Sequence, residues 1–256
     1  MTEVPTNRFK QRLLTEETQW GMWHSMANPT AAEALSLVGF DWMLFDTEHS
    51  PVEVAMLQPI LQAAACGTAS AVARPAWNDK ILIKKMLDIG VQSLLIPFVE
   101  TPEEAEAAVR ATRYPPEGIR GVAGSTRASR FGLAKGYLQK ANDQICVLVQ
   151  IETASALARL EEIAAIDGVD GVFIGPSDLS ASMGFLGNPG VEPVQEAIRT
   201  AAHRIKKSGK APGILATRSE DALRYRDWGY RFVAGGVDMP LLMKAAQDLL
   251  LALQNK

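Results

Sequence analysis

Short apolar runs alternate with longer helical patterns along the chain. The runs DWMLFD, QICVLVQIE and VDGVFIGP are apolar almost throughout, and each is followed by a segment with helical spacing. Strands of this kind, separated by helices, indicate a parallel sheet that is buried on both faces. Eight strand–helix units in 256 residues predict a single (β/α)8 barrel over residues 1–256. An open doubly wound sheet of six or seven strands is the alternative.

One stretch interrupts this alternation. Residues 113–136, between the fourth and fifth units, read RYPPEGIRGVAGSTRASRFGLAKG and are rich in Gly, Pro, Ser and Arg. The stretch is too long for a plain connection, so we expect a functional loop or lid.

Polar residues gather where the predicted strands end. In a barrel of this type the active site lies at the carboxyl ends of the strands, so these residues should share one rim. The candidates at strands one to three are Trp23, His24, Asp46, Glu48, His49 and Arg74. Those at strands five to eight are Gln150, Glu152, Gly175, Pro176, Ser177, Asp178, Thr217, Arg218, Gly235 and Gly236. The charges of FDTEHSP therefore belong to a site rather than to the core.

Glu152 and Asp178 follow adjacent strands, so their carboxylates can meet over the barrel mouth. Two oxygen ligands without a Cys or His cluster suit a hard divalent ion such as Mg²⁺ or Mn²⁺, and Co²⁺ fits the same ligands. The alternative is structural: Thr153 or Ser177 caps a helix, and Asp178 lies in its first turn.

Arg74 and His49 carry the remaining chemistry. Arg74 ends an apolar strand, where it either pairs with a neighbouring acid or stabilises a carboxylate or a developing enolate. His49 can act as a general base near neutral pH, with Asp46 or Glu48 to orient it, or it is an ordinary surface histidine. The helix start in GPSDLS offers backbone N–H groups to a substrate carboxylate.

Together these groups indicate chemistry at the carbon next to a 2-oxo acid. A metal would chelate the carboxylate and ketone, and the enolate would add to, or leave from, an aldehyde. A Schiff-base aldolase needs a lysine at a strand end, but Lys84 and Lys85 fall in a helix and Lys135 in the long loop. The sequence therefore favours the metal-dependent class.

Composition narrows the possible partners and location. The net charge is −3, from 26 Lys and Arg against 29 Asp and Glu, which gives no reason to expect nucleic acid or an anionic membrane. The N-terminus lacks the apolar segment of a signal peptide, and no apolar stretch is long enough to span a bilayer. Cys66 and Cys146 lie in apolar segments, where we expect buried thiols. These features predict a cytoplasmic protein.

The motifs FDTEHSP, ARP, KKMLDIGVQSLLIPFVET, RGVAGSTRASRFG, VQIET and FIGPSDLSASMG occur in this order. In them the sequence resembles the HpcH/HpaI family of class II 2-oxo acid aldolases, over nearly its whole length. The resemblance implies reversible, metal-dependent aldol cleavage of a 4-hydroxy-2-oxo acid to pyruvate, or a hydroxypyruvate-like 2-oxo acid, and an aldehyde.

The resemblance also implies roles for single residues. His49 would be the base, Arg74 the stabiliser of the transition state, and Glu152 and Asp178 the metal ligands. The 2-oxo acid would be held by Gln150 and by the segment Gly175, Pro176, Ser177, with Trp23 as a further contact. Glu48 would hold a metal-bound water. Asp88 would reach the histidine from a neighbouring subunit, whereas spacing alone favours Asp46 as its partner, and both stay candidates.

An assembly follows from the same resemblance. It implies a last helix swapped between subunits and a hexamer built as a trimer of dimers. The apolar final segment MPLLMKAAQDLLLAL fits such an interface or ordinary packing on the barrel. His24 is a candidate for contacting the aldehyde or a surface residue. Arg127 and Arg130 could bind a distal carboxylate or pack through salt bridges.

Two other functions are alternatives. A citrate-lyase-like enzyme of the same superfamily would cleave an acyl-CoA, but no basic, adenine-sized groove is evident. A metabolite-binding barrel without turnover would be expected to lose the base or a metal ligand, and His49, Arg74, Glu152 and Asp178 are all present.

Overall fold

Eight parallel strands close into one barrel in the computed structural model, which describes residues 3–254. The strands are β1 (Gln19–His24), β2 (Trp42–Asp46), β3 (Ser70–Arg74), β4 (Ser93–Ile96), β5 (Cys146–Ile151), β6 (Gly171–Ile174), β7 (Ala211–Leu215) and β8 (Phe232–Val237). Each strand pairs with the next in the sequence, and β8 pairs with β1, where Phe232 lies opposite Gln19. The barrel prediction is confirmed. An open sheet is excluded, because it would leave two unpaired edges.

The first helix precedes the barrel and the others lie between or after its strands. They are α1 (Arg8–Leu13), α2 (Pro29–Ser36), α3 (Val54–Ala64), α4 (Lys80–Asp88), α5 (Pro102–Thr112), α6 (Tyr137–Gln144), α7 (Ala154–Ala158), α8 (Leu160–Ala164), α9 (Pro176–Ser182), α10 (Glu192–Lys207), α11 (Ser219–Asp227) and α12 (Asp238–Gln254). Local signals start several of them: the Thr101 side chain caps α5 before Pro102, and Asp79 caps α4. The long stretch 113–136 carries a short 3-10 helix, Arg127–Ser129.

Two apolar layers hold the barrel together, because side chains alternate between its inside and outside. The inner layer is dominated by aromatic residues, namely Trp23, Trp42, Phe173 and Phe232. The outer layer joins the strands to the helices. Gly21 is needed for the inner packing, since a Cβ there would overlap the ring of Trp42.

The helix α1 covers the amino-terminal end of the barrel and was not anticipated from the strand–helix pattern. Its Phe9 is fully buried, with its ring centroid 5.7 Å from those of both Trp42 and Phe232. The opposite end, where the strands finish, is left open for the candidate site.

Helix α12 leaves the barrel instead of packing on it. Asp238 is its only buried residue among those described, and the leucines along it are between 48% and 62% exposed. Ordinary packing on the same barrel, one of the two alternatives for this segment, is therefore not observed. Within residues 3–254, no helix is long and apolar enough to cross a bilayer. Cys146 is buried as expected, but Cys66 is exposed after the end of α3, so the expectation for that thiol was wrong.

Replacing Phe9 tests whether α1 stabilises the barrel. Phe9→Ala should lower the free energy of unfolding by about 3–5 kcal/mol, because it opens a cavity beneath two aromatic rings. Leu14→Ala is the matched control, since Leu14 is 90% exposed and such a change stays within about 0.5 kcal/mol. Equilibrium urea unfolding measures both. Equal effects of the two variants would show that the α1 contact contributes little.

Candidate active site

A cavity of about 380 Å³ lies at the carboxyl ends of the strands. Nine of the residues proposed from the sequence line it: Trp23, Asp46, His49, Arg74, Gln150, Gly175, Pro176, Ser177 and Asp178. Glu48 and Glu152 lie just behind this lining, where they contact Arg74 and Gln150. The structure thus brings together most of the predicted rim residues. The other rim candidates, which do not line the cavity, are His24, Thr217, Arg218, Gly235 and Gly236.

Arg74 is buried at this rim and is held on two sides. Its Nε and Nη2 donate to the two carboxylate oxygens of Asp46 at 2.9 and 2.7 Å. The guanidinium also lies 4.7 Å from the ring centroid of Trp23, whose Nε1 donates to Asp46 at 3.2 Å. Arg74, Asp46 and Trp23 are each 5% exposed or less. This bidentate arrangement fixes the direction of the positive charge.

Asp46 remains ionised because of this pairing. Burial alone would raise its pKa, but the hydrogen bonds and charge of Arg74, with the backbone N–H of Glu48, outweigh it and hold the pKa below its usual value. Both oxygens of Asp46 therefore serve Arg74, Trp23 and the backbone in this protomer, and not the imidazole of His49.

Glu48 is the second acid on Arg74. Its Oε2 lies 2.6 Å from Arg74 Nη1, and its Oε1 lies 3.9 Å from Nε2 of His49. Burial raises the pKa of Glu48, and the charges of Asp46 and Asp178 add to the shift against the opposing charge of Arg74. The His49 side chain is 65% exposed, so its ring faces the open cavity and can reach a bound molecule.

Glu152 is buried and held by two donors. Its Oε2 accepts from the backbone N–H of Phe98 at 2.9 Å, and its Oε1 accepts from Gln150 Nε2 at 2.9 Å. Phe98 donates from a backbone with φ of 47°, a conformation that costs energy in a residue other than glycine and is often kept at functional sites. Each carboxylate oxygen retains a lone pair for a further partner.

Gly175 makes room for this carboxylate. A Cβ at position 175 would lie 2.8 Å from Cγ and 2.9 Å from Oε1 of Glu152, and 3.1 Å from Nε2 of Gln150. The next residues, Pro176 to Asp178, form the first turn of α9, where the backbone N–H groups have no partner inside the helix. Asp178 thus follows β6 as predicted, beside the end of β5 that carries Glu152.

The charges in this region do not balance. Burial raises the pKa of Glu152 to about 8, and the nearby charges of Glu48 and Asp178 contribute to the rise. One guanidinium faces several carboxylates, so a cation would relieve their repulsion. Within residues 3–254 no group of three or more His, Cys, Asp or Glu side chains is arranged to bind a metal on its own. Glu152 and Asp178 can therefore serve only as part of a ligand set that water or substrate completes.

Asp88 lies away from this cavity in the protomer. It ends α4, shortly before β4 begins, and so lies towards the opposite end of the barrel from the mouth. There it accepts a 2.9 Å hydrogen bond from Nη2 of the buried Arg120. Arg127 and Arg130 line a different cavity, of about 430 Å³, beside Gly90. Neither arginine reaches the barrel mouth of its own protomer.

Four further lining residues were missed from the sequence: Ser25, Phe173, Leu215 and Val237. Leu215 and Val237 are the last residues of β7 and β8, so a reading that looked only for polar strand ends passed over them. His24 does not line the cavity and is not a surface residue, because its side chain is 2% exposed. Neither alternative for His24 is therefore correct.

Comparisons with known proteins find similar sequences and a similar fold over nearly the whole chain. The family model described as HpcH/HpaI aldolase/citrate lyase matches residues 19–245. A 4-hydroxy-2-oxo-heptane-1,7-dioate aldolase from Escherichia coli is 52% identical over 95% of this chain and 93% of its own length. A hydroxypyruvate/pyruvate aldolase from Sagittula stellata is 49% identical over 95% and 96%. The crystal structure of a Burkholderia cenocepacia protein of the same family has a TM-score of 0.94 and 39% identity, over 97% of this chain and 100% of that one.

A methyl group at position 175 tests the packing around Glu152. Gly175→Ala should lower the free energy of unfolding by about 1–3 kcal/mol, because the new Cβ forces Glu152 and Gln150 to move. Gly190→Ala is the control, since a Cβ there meets nothing within 4 Å and should cost nothing or add up to about 1 kcal/mol. Urea unfolding of the two variants gives the comparison. A Gly175→Ala protein as stable as the control would contradict the close packing of this carboxylate.

Proposed function

The chain belongs to the HpcH/HpaI aldolase/citrate lyase family and is a carbon–carbon lyase, and we propose that it is a metal-dependent class II aldolase. It reversibly cleaves a 4-hydroxy-2-oxo acid into pyruvate, or a hydroxypyruvate-like 2-oxo acid, and an aldehyde. One observation carries this proposal: a buried, rigidly paired Arg74 shares a single cavity with His49 and Asp178, and Glu152 lies just behind its lining. The names of the similar aldolases support the substrate class.

The donor set fits a hard divalent ion, and Mg²⁺, Mn²⁺ or Co²⁺ is the proposed cofactor. Glu152 and Asp178 would hold it, because both offer oxygen atoms and Glu152 is packed tightly against Gly175 in a site with surplus negative charge. When bound, such an ion polarises the carboxylate and 2-oxo groups of the substrate. Glu48, which lies behind the lining, would hold a water beside it.

Backbone and side-chain groups of the protein bind the 2-oxo acid, and His49 moves its methyl proton. The backbone N–H groups of Ser177 and Asp178 point from the first turn of α9 and suit the substrate carboxylate, while Gln150 offers its amide. His49 takes a proton from the methyl carbon of pyruvate in the direction of synthesis. Arg74 stabilises the negative charge that develops on the 2-oxo oxygen, and its fixed partners mean that it need not reorganise.

We extend the proposal to a homo-oligomer, a hexamer arranged as a trimer of dimers with α12 exchanged between subunits. The apolar side chains of α12 are exposed in the protomer, and a partner barrel would bury them. Asp88 is too far from the His49 of its own subunit to orient it, so a role as its partner requires a second subunit. Asp46 could orient His49 instead only if its carboxylate released Arg74.

Exchange of the pyruvate methyl protons with deuterium tests the first half of this reaction without knowledge of the aldehyde. We expect exchange, followed by NMR, that needs added Mn²⁺ and stops with EDTA. Absence of exchange in folded, metal-loaded protein would overturn the proposal. It would then favour the acyl-CoA lyase or the binding protein without turnover.

Replacing the base gives a second prediction. His49→Ala should bind Mn²⁺ and pyruvate but exchange methyl protons about 10²–10⁴-fold more slowly than the wild type. His203→Ala is the matched control, because His203 is exposed on α10 and should leave exchange unaltered. Normal exchange in His49→Ala would remove the assignment of the base.

Removing one carboxylate charge tests the ion site separately. Mn²⁺ at about 100 times its Kd should stabilise the wild type by about 2.7 kcal/mol, seen as a rise in Tm. Glu152→Gln keeps the shape of the side chain but should abolish this rise. Glu106→Gln, on the exposed face of α5, should retain it in full. An unchanged rise in Glu152→Gln would show that the ion binds elsewhere.

A further inference from the structure

A buried pair joins the end of β1 to the start of α12. Nδ1 of His24 lies 2.7 Å from Oδ2 of Asp238, and each side chain is only 2% exposed. On β1 the side chains alternate, so Trp23 points into the barrel and His24 points outwards, edge-on to the ring of Phe45 with a centroid distance of 5.5 Å. The two residues are 214 positions apart, and closure of β8 on β1 brings them together.

Asp238 uses the same carboxylate to hold the loop after β1. It accepts from the backbone N–H of Ser25 at 3.0 Å, from Ser25 Oγ at 2.7 Å and from the backbone N–H of Met26 at 3.2 Å. It also accepts from the N–H of Met239 in its own helix at 2.7 Å. Burial alone would raise the pKa of Asp238, but the hydrogen bonds from His24 and the loop outweigh it and hold the pKa far below its usual value.

One residue of this loop, Ser25, lines the cavity. Ser25 and Val237, the neighbours of the buried pair in the sequence, both line it, whereas His24 does not. In the order of the strands, β1 lies directly across the barrel from β5, which carries Glu152 of the proposed ion site. Ser25 therefore faces the cavity from the side opposite Glu152, where it has room to contact an aldehyde that approaches a 2-oxo acid bound at the proposed ion site.

Packing alone does not explain a histidine at position 24. Its outward neighbours include the apolar ring of Phe45. Among the described residues neither ring nitrogen has a well-aligned hydrogen bond, and Nδ1 has only its 2.7 Å contact with Oδ2 of Asp238. A buried nitrogen without a partner destabilises the fold, so an apolar side chain would serve mere packing better. What the imidazole adds is the contact with Asp238.

We propose that His24 is a positioning residue, which acts through Asp238 to hold Ser25 and the β1–α2 loop as the aldehyde-binding wall of the cavity. This inference rests on the proposed aldolase function for its kinetic consequences. The position of the loop can be measured without it.

Two substitutions separate the polar contact with Asp238 from the packing. His24→Leu removes the donor to Asp238 while it keeps an apolar contact with Phe45. His24→Asn restores a donor, because the amide nitrogen of Asn occupies the place of Nδ1. Should His24→Leu not fold, His24→Gln replaces it, since its amide nitrogen lies one atom further out.

Kinetics with pyruvate and glycolaldehyde as probes give the first readout. The KM for glycolaldehyde should rise about tenfold in His24→Leu and by no more than about threefold in His24→Asn, while pyruvate methyl exchange stays within about twofold of the wild type. A structural role would instead lower exchange and aldol addition together. That result, an unchanged KM, or failure of Asn to rescue would overturn the inference.

Amide hydrogen exchange supplies a readout that does not depend on catalysis. Exchange at Ser25 and Met26 should be about tenfold faster in His24→Leu than in the wild type and should return towards the wild-type rate in His24→Asn. Equal rates in all three proteins would refute the positioning role. If the wild type protects the amides of Ser25 and Met26 but does not exchange the methyl protons of pyruvate, the result would count against the proposed function instead.

Discussion

The guanidinium of Arg74 carries its charge into a place where water cannot solvate it, at the point where β3 ends. Such a charge is stable only if fixed partners replace the lost water. Asp46 supplies a bidentate partner from the neighbouring strand, Glu48 supplies a second carboxylate, and the indole of Trp23 covers the cation. These requirements account for much of the polar content of the FDTEHSP segment, and they leave His49 as the ionisable side chain of this segment that does not pair with Arg74.

The same constraint explains the electrostatics of the opposite wall. The positive charge of Arg74 is already shared by Asp46 and Glu48, so it compensates Glu152 and Asp178 only in part. The raised pKa of Glu152 is a consequence of burial and of these neighbouring acids. The proposed divalent ion would supply the missing charge, and the absence of a side chain at Gly175 leaves room for the carboxylate that would bind it.

Much of the fold and of the candidate site could be predicted from the sequence, because apolar strands indicate the fold and the residues that follow them indicate the site. Parallel apolar strands predict the barrel, and the barrel places every strand end at one rim. Arg74, Gln150 and Asp178 could therefore be grouped from the sequence alone. The partners of these residues were harder to predict. Spacing favoured Asp46 as the partner of His49, but the register of β2 and β3 sets Asp46 opposite Arg74, and a bidentate pair with a full charge prevails.

Other features depend on closure of the barrel, which no local pattern reveals. The cover formed by α1 requires the rings of Trp42 and Phe232 to meet across the barrel, and they come from β2 and β8. The exposure of Cys66 depends on where α3 ends, which is a boundary that periodicity locates poorly. The pair of His24 and Asp238 forms only because the last strand lies beside the first.

Closure of the barrel also links the exposed helix α12 to the loop after β1. Asp238 is the first residue of α12, the helix whose apolar side chains the protomer leaves exposed, and it is also the acceptor that holds the loop after β1. A displacement of the start of α12 would therefore move Ser25, and any contact that fixes α12 would fix one wall of the cavity. If a second subunit covers this helix, the aldehyde side of the site would depend on assembly through a single carboxylate.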